Sequence, residues 1–261
     1  MIDVNAFLGA YPWRRVPGTS PAGLIEAMDR AGIASAWVSH LPGLFWKDPP
    51  AGNGWLLETV AHEPRFRAVA TIHPGLPGWE DDLTAAAAGG VVAVRADPGY
   101  LGLPPAGPEM LALVRAAGEA GLPLLSAVRL EDGRGRHPLD VAPELAPWAV
   151  RQWIRASPAA RLVITHADRG FIEEVHHGAT PDEAARIWWD ISWVWGPPED
   201  HLAHLLATMG AARFLFGSGQ PLRLAETPGA RLDLLSLPVA DRAAITHDNA
   251  ASLAGRRSPP A

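Results

Sequence analysis

Polar side chains close a series of short apolar runs along this chain of 261 residues. The run "IDVNAF" contains Asn5, "VVAVRA" contains Arg95 and "RLVITH" ends in His166. The full set at such ends is Asn5, His40, His73, Arg95, Asp97, Ser126, Arg129, His166, Asp168, Asp190, Ser192, Ser218 and Gln220. Together these residues offer hydrogen-bond donors, acceptors and proton-transfer groups. If the runs are parallel strands, their ends meet and form a concave site for a small molecule.

Two arginines stand out because a guanidinium group rarely follows an apolar strand. Arg95 and Arg129 both do so, and a guanidinium at the mouth of a barrel can hold a carboxylate through two hydrogen bonds. We therefore predict that both arginines bind the anionic group of a substrate. The alternative is that each forms an ion pair with Asp97, Glu131 or Asp132.

The remaining candidates have equally plain structural alternatives. His73 and His40 either line the site or are interior histidines with satisfied hydrogen bonds, and the second interpretation is favoured. Ser218 and Gln220 either donate hydrogen bonds to a substrate or shape a turn with the two neighbouring glycines. We retain Asn5, His73, Ser218 and Gln220 as predicted substrate-binding residues.

Eight apolar or β-branched runs are predicted to be strands. They span residues 2–7, 35–40, 66–73, 91–96, 122–128, 161–166, 187–192 and 213–218. Segments of helical period separate them, and "SPAGLIEAMDRAG" is the clearest: Ser20 can cap the helix, Pro21 suits its first turn and Gly32 its end. Apolar strands that alternate with helices predict a (β/α)8 TIM barrel, an α/β fold.

An open, doubly wound sheet is the alternative fold. It is disfavoured because no glycine-rich phosphate-binding turn follows the first strand, where "FLGAYPWRRVPG" is a long loop. The charged loop over residues 129–142 is predicted to be a lid or rim of the barrel.

Composition predicts one folded domain over residues 1–255 and a disordered tail over residues 256–261. Hydrophobic residues make up 48% of the chain and charged residues 19%, which suits a dense core. The net charge of −6 gives no reason to bind nucleic acid or an anionic membrane. With no cysteine, no signal-like start and no uncharged run of ~18 residues, the chain is predicted to be cytoplasmic.

Four stretches of the chain resemble the amidohydrolase-related (amidohydrolase 2) family of barrel proteins. They are "IDVNAF", "VITHADRG", "FGSGQP" and "HDNAASLAG". Family members typically open with Ile-Asp-x-His-x-His, carry a histidine after strand six and end strand eight with Gly-Ser-Asp-x-Pro. The resemblance covers almost the whole chain and implies a barrel with hydrolase or decarboxylase activity. It also implies a functional role for His166, which matches the histidine after strand six.

The same resemblance predicts that the family's metal site is dismantled. Asn5 and Phe7 stand at the positions of the first two histidines, and Gly219 stands at the carboxylate position. Strand five also lacks the usual histidine, so His166 alone remains. Because zinc needs three protein ligands even in an open site, we predict no metal and no other cofactor.

Three functions follow as hypotheses. The first is a metal-independent hydrolase of a lactone, C–O or C–N bond, or a decarboxylase, that acts on a small anionic molecule with His166 as general base. The second is a catalytically inactive barrel that binds a ligand or a partner. The third is a metal-dependent hydrolase with ligands relocated to His40, His73, His166 or Asp190. A homo-oligomer remains possible in each case.

Overall fold

The computed structural model describes residues 1–46, 48–195 and 200–255. Eight parallel strands follow each other around one sheet in the order of the chain. They are β1 (Ile2–Leu8), β2 (Ser35–His40), β3 (Phe66–Thr71), β4 (Ala93–Arg95), β5 (Leu124–Ala127), β6 (Leu162–Thr165), β7 (Ile187–Asp190) and β8 (Phe214–Leu215).

Backbone hydrogen bonds between the first strand and the segment after the last one close the sheet into a barrel. The three bonds run from Val4 N to Phe216 O, from Gly219 N to Asn5 O and from Phe7 N to Gln220 O. The predicted (β/α)8 barrel is therefore confirmed.

Helices cover the outside of the barrel. They are α1 (Pro21–Ala31), α2 (Pro49–Ala61), α3 (Trp79–Ala88), α4 (Pro98–Leu101), α5 (Pro108–Glu119), α6 (Pro147–Ala156), α7 (Arg169–His177), α8 (Pro181–Ala184), α9 (His201–Met209), α10 (Glu226–Asp233), α11 (Val239–Ala243) and α12 (Asn249–Gly255). The first helix begins and ends as predicted: the side chain of Ser20 accepts a hydrogen bond from Gly23 N, and Gly32 adopts the left-handed conformation.

Strand eight is shorter than the run that predicted it. Only Phe214 and Leu215 pair with β7, because the chain beyond them turns away from that strand. Phe216 N instead donates to Ile245 O, and the next residues bond to β1. The end of this strand is thus a turn, and that turn carries Ser218 and Gln220.

The barrel interior is filled by a cluster of apolar side chains to which each strand contributes, and which we call the interior cluster. Its strand residues are Val4, Trp37, Val69, Ala93, Leu125, Val163, Trp188 and Leu215. Ala250 and Leu253 of α12 pack against it. The interior is therefore a packed core rather than a pore.

A second apolar cluster, which we call the mouth cluster, lies at the carboxyl ends of the strands. It consists of Phe7, Tyr11, Val16, Leu41, Leu44, Ala127 and Leu130. Phe7 has no exposed surface. Apolar side chains of the protein itself therefore bury Phe7 at the end where barrel enzymes carry their sites.

Within the described residues, no helix has the length and apolar character needed to cross a membrane. The tail predicted over residues 256–261 lies outside the described residues.

Candidate active site

The side-chain amide of Asn5 joins three strands below the mouth cluster. Its Oδ1 accepts a hydrogen bond of 2.8 Å from Arg95 NH2. Its Nδ2 lies 2.9 Å from His166 Nε2 and also donates over 2.9 Å to Asp190 Oδ2. All four side chains are fully buried. Asn5 and His166, both predicted from the sequence, therefore lie together at the carboxyl ends of the strands.

His166 is held as a neutral imidazole. Its Nδ1 lies 2.7 Å from the carbonyl oxygen of Arg129, which can only accept, so Nδ1 carries the proton and Nε2 accepts from Asn5. Burial, together with the nearby guanidinium of Arg223, lowers the pKa of His166 to about 3. The ring stays neutral at neutral pH, and its accepting lone pair is directed at an amide within the protein.

The backbone of His166 is also unusual. It has φ of 56°, and it is the one residue other than glycine in the described chain with a positive φ. Such left-handed conformations cost free energy and concentrate at functional sites. The backbone N of His166 donates over 2.9 Å to Asp190 Oδ1, which holds the strained turn in place.

We call the hydrogen-bonded set of Asn5, Arg95, His166 and Asp190 the centre. Asp190, at the end of β7, is its carboxylate. Besides the bonds from Asn5 and His166, it accepts 2.8 Å from Ser192 Oγ. Burial raises the pKa of Asp190 to about 6. A Cβ at Gly217 would come within 2.7 Å of this carboxylate, so glycine is needed for its position. The sequence placed Asp190 at a strand end but assigned it only to a relocated metal site.

Ser218 and Gln220 are tied into the turn after β8. Asp3 Oδ1 accepts from the backbone N of Ser218 at 3.0 Å and from that of Asn5 at 2.9 Å. Ser218 Oγ donates to Asp3 and accepts 3.0 Å from Gln220 N. These contacts support the turn role, and the predicted substrate-binding role of both residues remains a prediction.

Arg95 is a buried cation at the centre of this network. Its Cζ lies 4.7 Å from the ring centroid of Phe7, and its NH1 lies 3.9 Å from Asp97 Oδ2. The second oxygen of Asp97, Oδ1, accepts 2.6 Å from Ala127 N. Nε and NH1 of Arg95 have no hydrogen-bond partner among the described residues. Asp97, the alternative partner named for Arg95, thus lies near it inside the protein, and the predicted substrate-binding role of Arg95 remains a prediction.

The residues at this centre do not fit the metal that the family resemblance implies. A guanidinium cation lies against both Asn5 and Phe7, where a second cation would be repelled. The Asn5 amide directs its N–H bonds at His166 and Asp190, the two groups that could coordinate an ion. Within the described ranges no cluster of three or more His, Cys, Asp or Glu side chains could hold a metal.

Arg129 is paired, although with carboxylates other than the predicted ones. Its NH1 lies 3.0 Å from Asp168 Oδ2, and its NH2 lies 3.0 Å from Glu144 Oε2. Its Cζ is 5.5 Å from the ring centroid of Trp193. Both carboxylates are nearby, so the charge of Arg129 is already balanced.

Arg223 is the residue that sequence reasoning missed. Its Cζ lies 3.5 Å from the ring centroid of Trp193 and 5.2 Å from that of Trp195. A Cβ at Gly219 would lie 2.8 Å from His166 Nε2 and 3.0 Å from Arg223 Cδ, so Arg223 borders the centre. Its side chain is half-buried, and its buried Nε has no hydrogen-bond partner among the described residues. Burial lowers the pKa of Arg223 to about 10, although the charges of Asp190, Glu131 and Asp132 act in the opposite direction. Its place shortly after "GSGQP" was the available signal.

Two other histidines lie at the ends of β2 and β3. His73 Nδ1 accepts 3.2 Å from Gly75 N, and its role in substrate binding remains a prediction. His40 packs against Trp55 of α2 and Trp46, each at a ring-centroid distance of 4.9 Å. Burial lowers the pKa of His40.

Comparison with known proteins agrees with this architecture. The model of a family described as Amidohydrolase matches residues 10–256. No curated protein matches the chain.

Solved structures share the fold, and the following three are among them. A 2,6-dihydroxybenzoate decarboxylase bound to 2,6-dihydroxybenzoate has a TM-score of 0.73 at 18% identity, covering 97% of this chain and 99% of that one. A protein described as a candidate 2-pyrone-4,6-dicarboxylic acid hydrolase from Pseudomonas putida has a TM-score of 0.70 at 18% identity, covering 99% and 98%. An uncharacterized TIM-barrel protein from Bordetella bronchiseptica has a TM-score of 0.76 at 15% identity, covering 98% and 99%.

Proposed function

Because the chain belongs to the amidohydrolase family, we propose that it is a hydrolase or decarboxylase that acts on a small anionic molecule without the metal its relatives are expected to use. The observation that carries this proposal is Arg223, a cation beside His166 whose buried Nε has no hydrogen-bond partner among the described residues. A guanidinium that is stacked on an aromatic ring and keeps an unused donor is suited to bind a carboxylate. Both named substrates of the similar structures are carboxylic acids, which supports an anionic ligand.

The proposed roles differ from the expected ones at the arginines. Arg223 takes the anchoring role because Arg95 and Arg129 already lie close to carboxylates of the protein. Trp193 supports its guanidinium from one side. The substrate's carboxylate then lies at the edge of the centre, near His166.

The acid–base role falls on the pair of Asp190 and His166. A general base works best when its pKa lies near the working pH, and a pKa of about 6 places Asp190 closer to neutrality than His166. The lone pair of His166 Nε2 accepts the hydrogen bond from the Asn5 amide, so this nitrogen can take a proton only after that hydrogen bond breaks. In this proposal Asp190 accepts the proton of the attacking water, and His166 holds the Asn5 amide in place.

A second candidate function is a barrel that binds a ligand and catalyses no reaction. The burial of the centre favours it. Asn5, His166 and Asp190 have no exposed surface, and their polar atoms bond to one another. The mouth cluster buries Phe7 at the same end of the barrel. A binding protein needs no access to these groups, whereas an enzyme must open them to its substrate.

A ligand screen separates these functions. We expect small carboxylates or lactones to raise the melting temperature of chelator-treated protein, because a ligand that binds the native state stabilises it. Arg223→Gln should weaken binding of the best carboxylate at least about tenfold through loss of a charge-assisted contact. Arg213→Gln is the matched control, since Arg213 also stacks on a tryptophan, with its Cζ 4.7 Å from the ring centroid of Trp188.

The outcomes are distinct. Conversion of the bound compound, lost in Asp190→Asn, supports the enzyme. Binding without conversion supports the binding protein. If no carboxylate or lactone binds, or if Arg223→Gln binds as well as the Arg213→Gln control, the anion site is wrong.

A further inference from the structure

An open groove lies between α1 and α2 on the outside of the barrel. Neighbouring helices such as α5 and α6 pack closely, whereas the surface between α1 and α2 holds a space of about 760 Å³. This volume lies within the range of small-molecule sites, about 300–1,000 Å³. We call this space the α1–α2 groove. It belongs to the helical layer, and neither His166 nor Arg223 lines it.

Apolar side chains from both helices line the groove. Pro21 and Ile25 lie one turn apart in α1, and Trp55 of α2 lines the same space. Trp55 is 40% exposed, whereas Trp153 on another outer helix is fully buried. An exposed indole in a groove supplies apolar surface that a ligand can remove from water.

Trp55 is supported from inside the protein. Its ring centroid lies 4.9 Å from that of His40, which is buried. A Cβ at Gly52 would lie 2.5 Å from Nδ1 of His40, so the imidazole fills the space beneath the helix. The indole is therefore held in position before a ligand arrives. Among aromatic side chains, tryptophan is also the best partner for a cation.

The charge of the groove is negative. Glu26 of α1, Glu58 of α2 and Glu63 just beyond α2 line it, and no lysine or arginine of the described chain does. Glu26 and Glu58 are exposed, and their side chains form no ion pair with a described residue. His62 is the one lining side chain that can become a cation. The carboxylates thus face the groove without a counter-charge from the residues that line it.

These features favour one kind of occupant. A cation is attracted both by the carboxylates and by the face of the indole, whereas an anion is repelled. A neutral apolar compound would take water from the carboxylates and give them nothing in exchange. Symmetric docking of a second copy would bring two acidic grooves together, which like-charge repulsion disfavours.

We propose that the α1–α2 groove binds an organic cation with an apolar body, of the arylalkylammonium class. The ammonium group lies near Glu58 and the exposed indole of Trp55, and the aryl group packs against Ile25. The ligand has the opposite charge to the one proposed for Arg223. This site therefore does not depend on the function proposed above.

An NMR titration of the isotope-labelled full chain with phenethylamine tests the proposal. The indole N–H signal of Trp55, identified by its loss in Trp55→Phe, should shift with a Kd of about 1 mM, as expected for a ligand of this size. The signal of Trp148, which is 48% exposed on α6, should not shift.

A charge reversal tests the role of the carboxylates. Glu58→Lys should weaken binding at least about tenfold, because it replaces an attractive charge with a repulsive one. Glu119→Lys is the matched control: Glu119 is also an exposed glutamate without an ion pair to a described residue, but it ends α5 outside the groove. This control has the same net charge and should bind like the wild type. Both positions are exposed, so both variants should fold.

Two ligand controls test the chemistry. Phenethyl alcohol has the same apolar body without the charge and should bind at least about threefold more weakly. The anion hydrocinnamate should leave the Trp55 signal unchanged. If it binds at Arg223, it shifts the signals of Trp193 or Trp195 instead, so the two proposed sites are observed separately.

Four results would each overturn the proposal. They are an unshifted Trp55 signal with phenethylamine, equal affinity for phenethyl alcohol, a shift of the Trp55 signal by hydrocinnamate, and Glu58→Lys binding as tightly as Glu119→Lys. An unshifted Trp55 signal that broadens as the protein concentration rises would assign the groove to a second copy of the chain instead.

Discussion

At the scale of single residues, Asn5 determines which buried side chains of the centre are connected by hydrogen bonds. One amide oxygen faces the cation of Arg95, while the amide nitrogen faces His166 and Asp190. An imidazole at this position has no oxygen acceptor for the guanidinium and cannot donate from one nitrogen to two partners. The asparagine therefore joins a cation, an imidazole and a carboxylate that otherwise share no direct contact through their side chains.

Asn5→Ala should be strongly destabilising. It removes the partner of a buried guanidinium and of a buried imidazole, so we expect the free energy of unfolding to fall by about 3 kcal/mol or more. Ser192→Ala removes only one of the three hydrogen bonds of Asp190 and should cost about 1 kcal/mol. Urea denaturation of both variants measures the difference. Equal losses in the two variants would show that Asn5 does not hold the network.

Asp190 should make stability depend on pH. Its pKa is raised from 3.8 to about 6 in the folded protein. Between these values the folded state keeps the proton and the unfolded chain has lost it, so this group lowers stability as pH rises through the window. The full effect is about 3 kcal/mol. His166 acts with the opposite sign, because its pKa is lowered from 6.5 to about 3.

Comparison with Asp190→Asn isolates the carboxyl group, since His166 is present in both proteins. As pH falls from 7 to 4, the wild type should gain up to about 3 kcal/mol of stability relative to Asp190→Asn. Urea titrations at several pH values give this difference. A difference that stays constant over the range would mean that the pKa of Asp190 is not raised in the folded state.

At the scale of secondary-structure elements, glycines decide how closely side chains approach the strands. Gly219 adopts φ of 75° in the turn after β8, which lets the chain pass His166. Gly52 performs a similar task in α2, where a Cβ would lie 2.5 Å from Nδ1 of His40. Gly54, two residues further along the same helix, has nothing within 4 Å of a Cβ.

The pair Gly52→Ala and Gly54→Ala should have opposite effects. Alanine favours a helix over glycine by about 1 kcal/mol, so Gly54→Ala should raise stability by up to that amount. Gly52→Ala gains the same helix preference, but its methyl group would collide with His40, which lies between two tryptophans. Such overpacking costs about 1–3 kcal/mol of stability. Thermal or urea unfolding compares them. A stabilised Gly52→Ala would show that His40 moves away freely.

At the scale of the whole molecule, segments outside the strands contribute to both apolar clusters of the barrel. α12 packs against the interior cluster, and the loop after β1 supplies Tyr11 and Val16 to the mouth cluster. The loop predicted to be a lid or rim contacts the loop after β1: Arg14 NH2 is 2.7 Å from Glu131 Oε1, and the rings of Trp13 and His137 stack at 5.2 Å. A ligand that enters between these two loops must displace these contacts.

A chelator should leave the protein unchanged. Because the centre offers a guanidinium and an amide N–H where coordinating groups would be needed, EDTA should shift the melting temperature by less than about 1 °C. Elemental analysis should find far less than one transition metal per chain. Near-stoichiometric zinc that is lost in His166→Ala would contradict this prediction and revive the relocated metal site.

Much of the fold could be predicted from the sequence, because it depends on local patterns. Apolar runs and helix caps lie within short segments, and their alternation allows few architectures. The same patterns placed Asn5, His166 and Asp190 at the carboxyl ends of strands, where side chains converge in this fold. His166 and Asp190 lie there, and Asn5 lies in the middle of β1.

Only the tertiary structure decided which of these side chains contact one another. Asn5 and Asp190 are 185 residues apart, and Asn5 and His166 are 161 apart, so their contacts exist only once the barrel closes. Closure also turned Arg95 inward onto Phe7, while it left Arg223 Nε without a hydrogen-bond partner among the described residues. The periodicity of the sequence indicates which face of a strand or helix a residue occupies. Burial and charge balance between distant strands determine its hydrogen-bond or ion-pair partner, and therefore its chemistry.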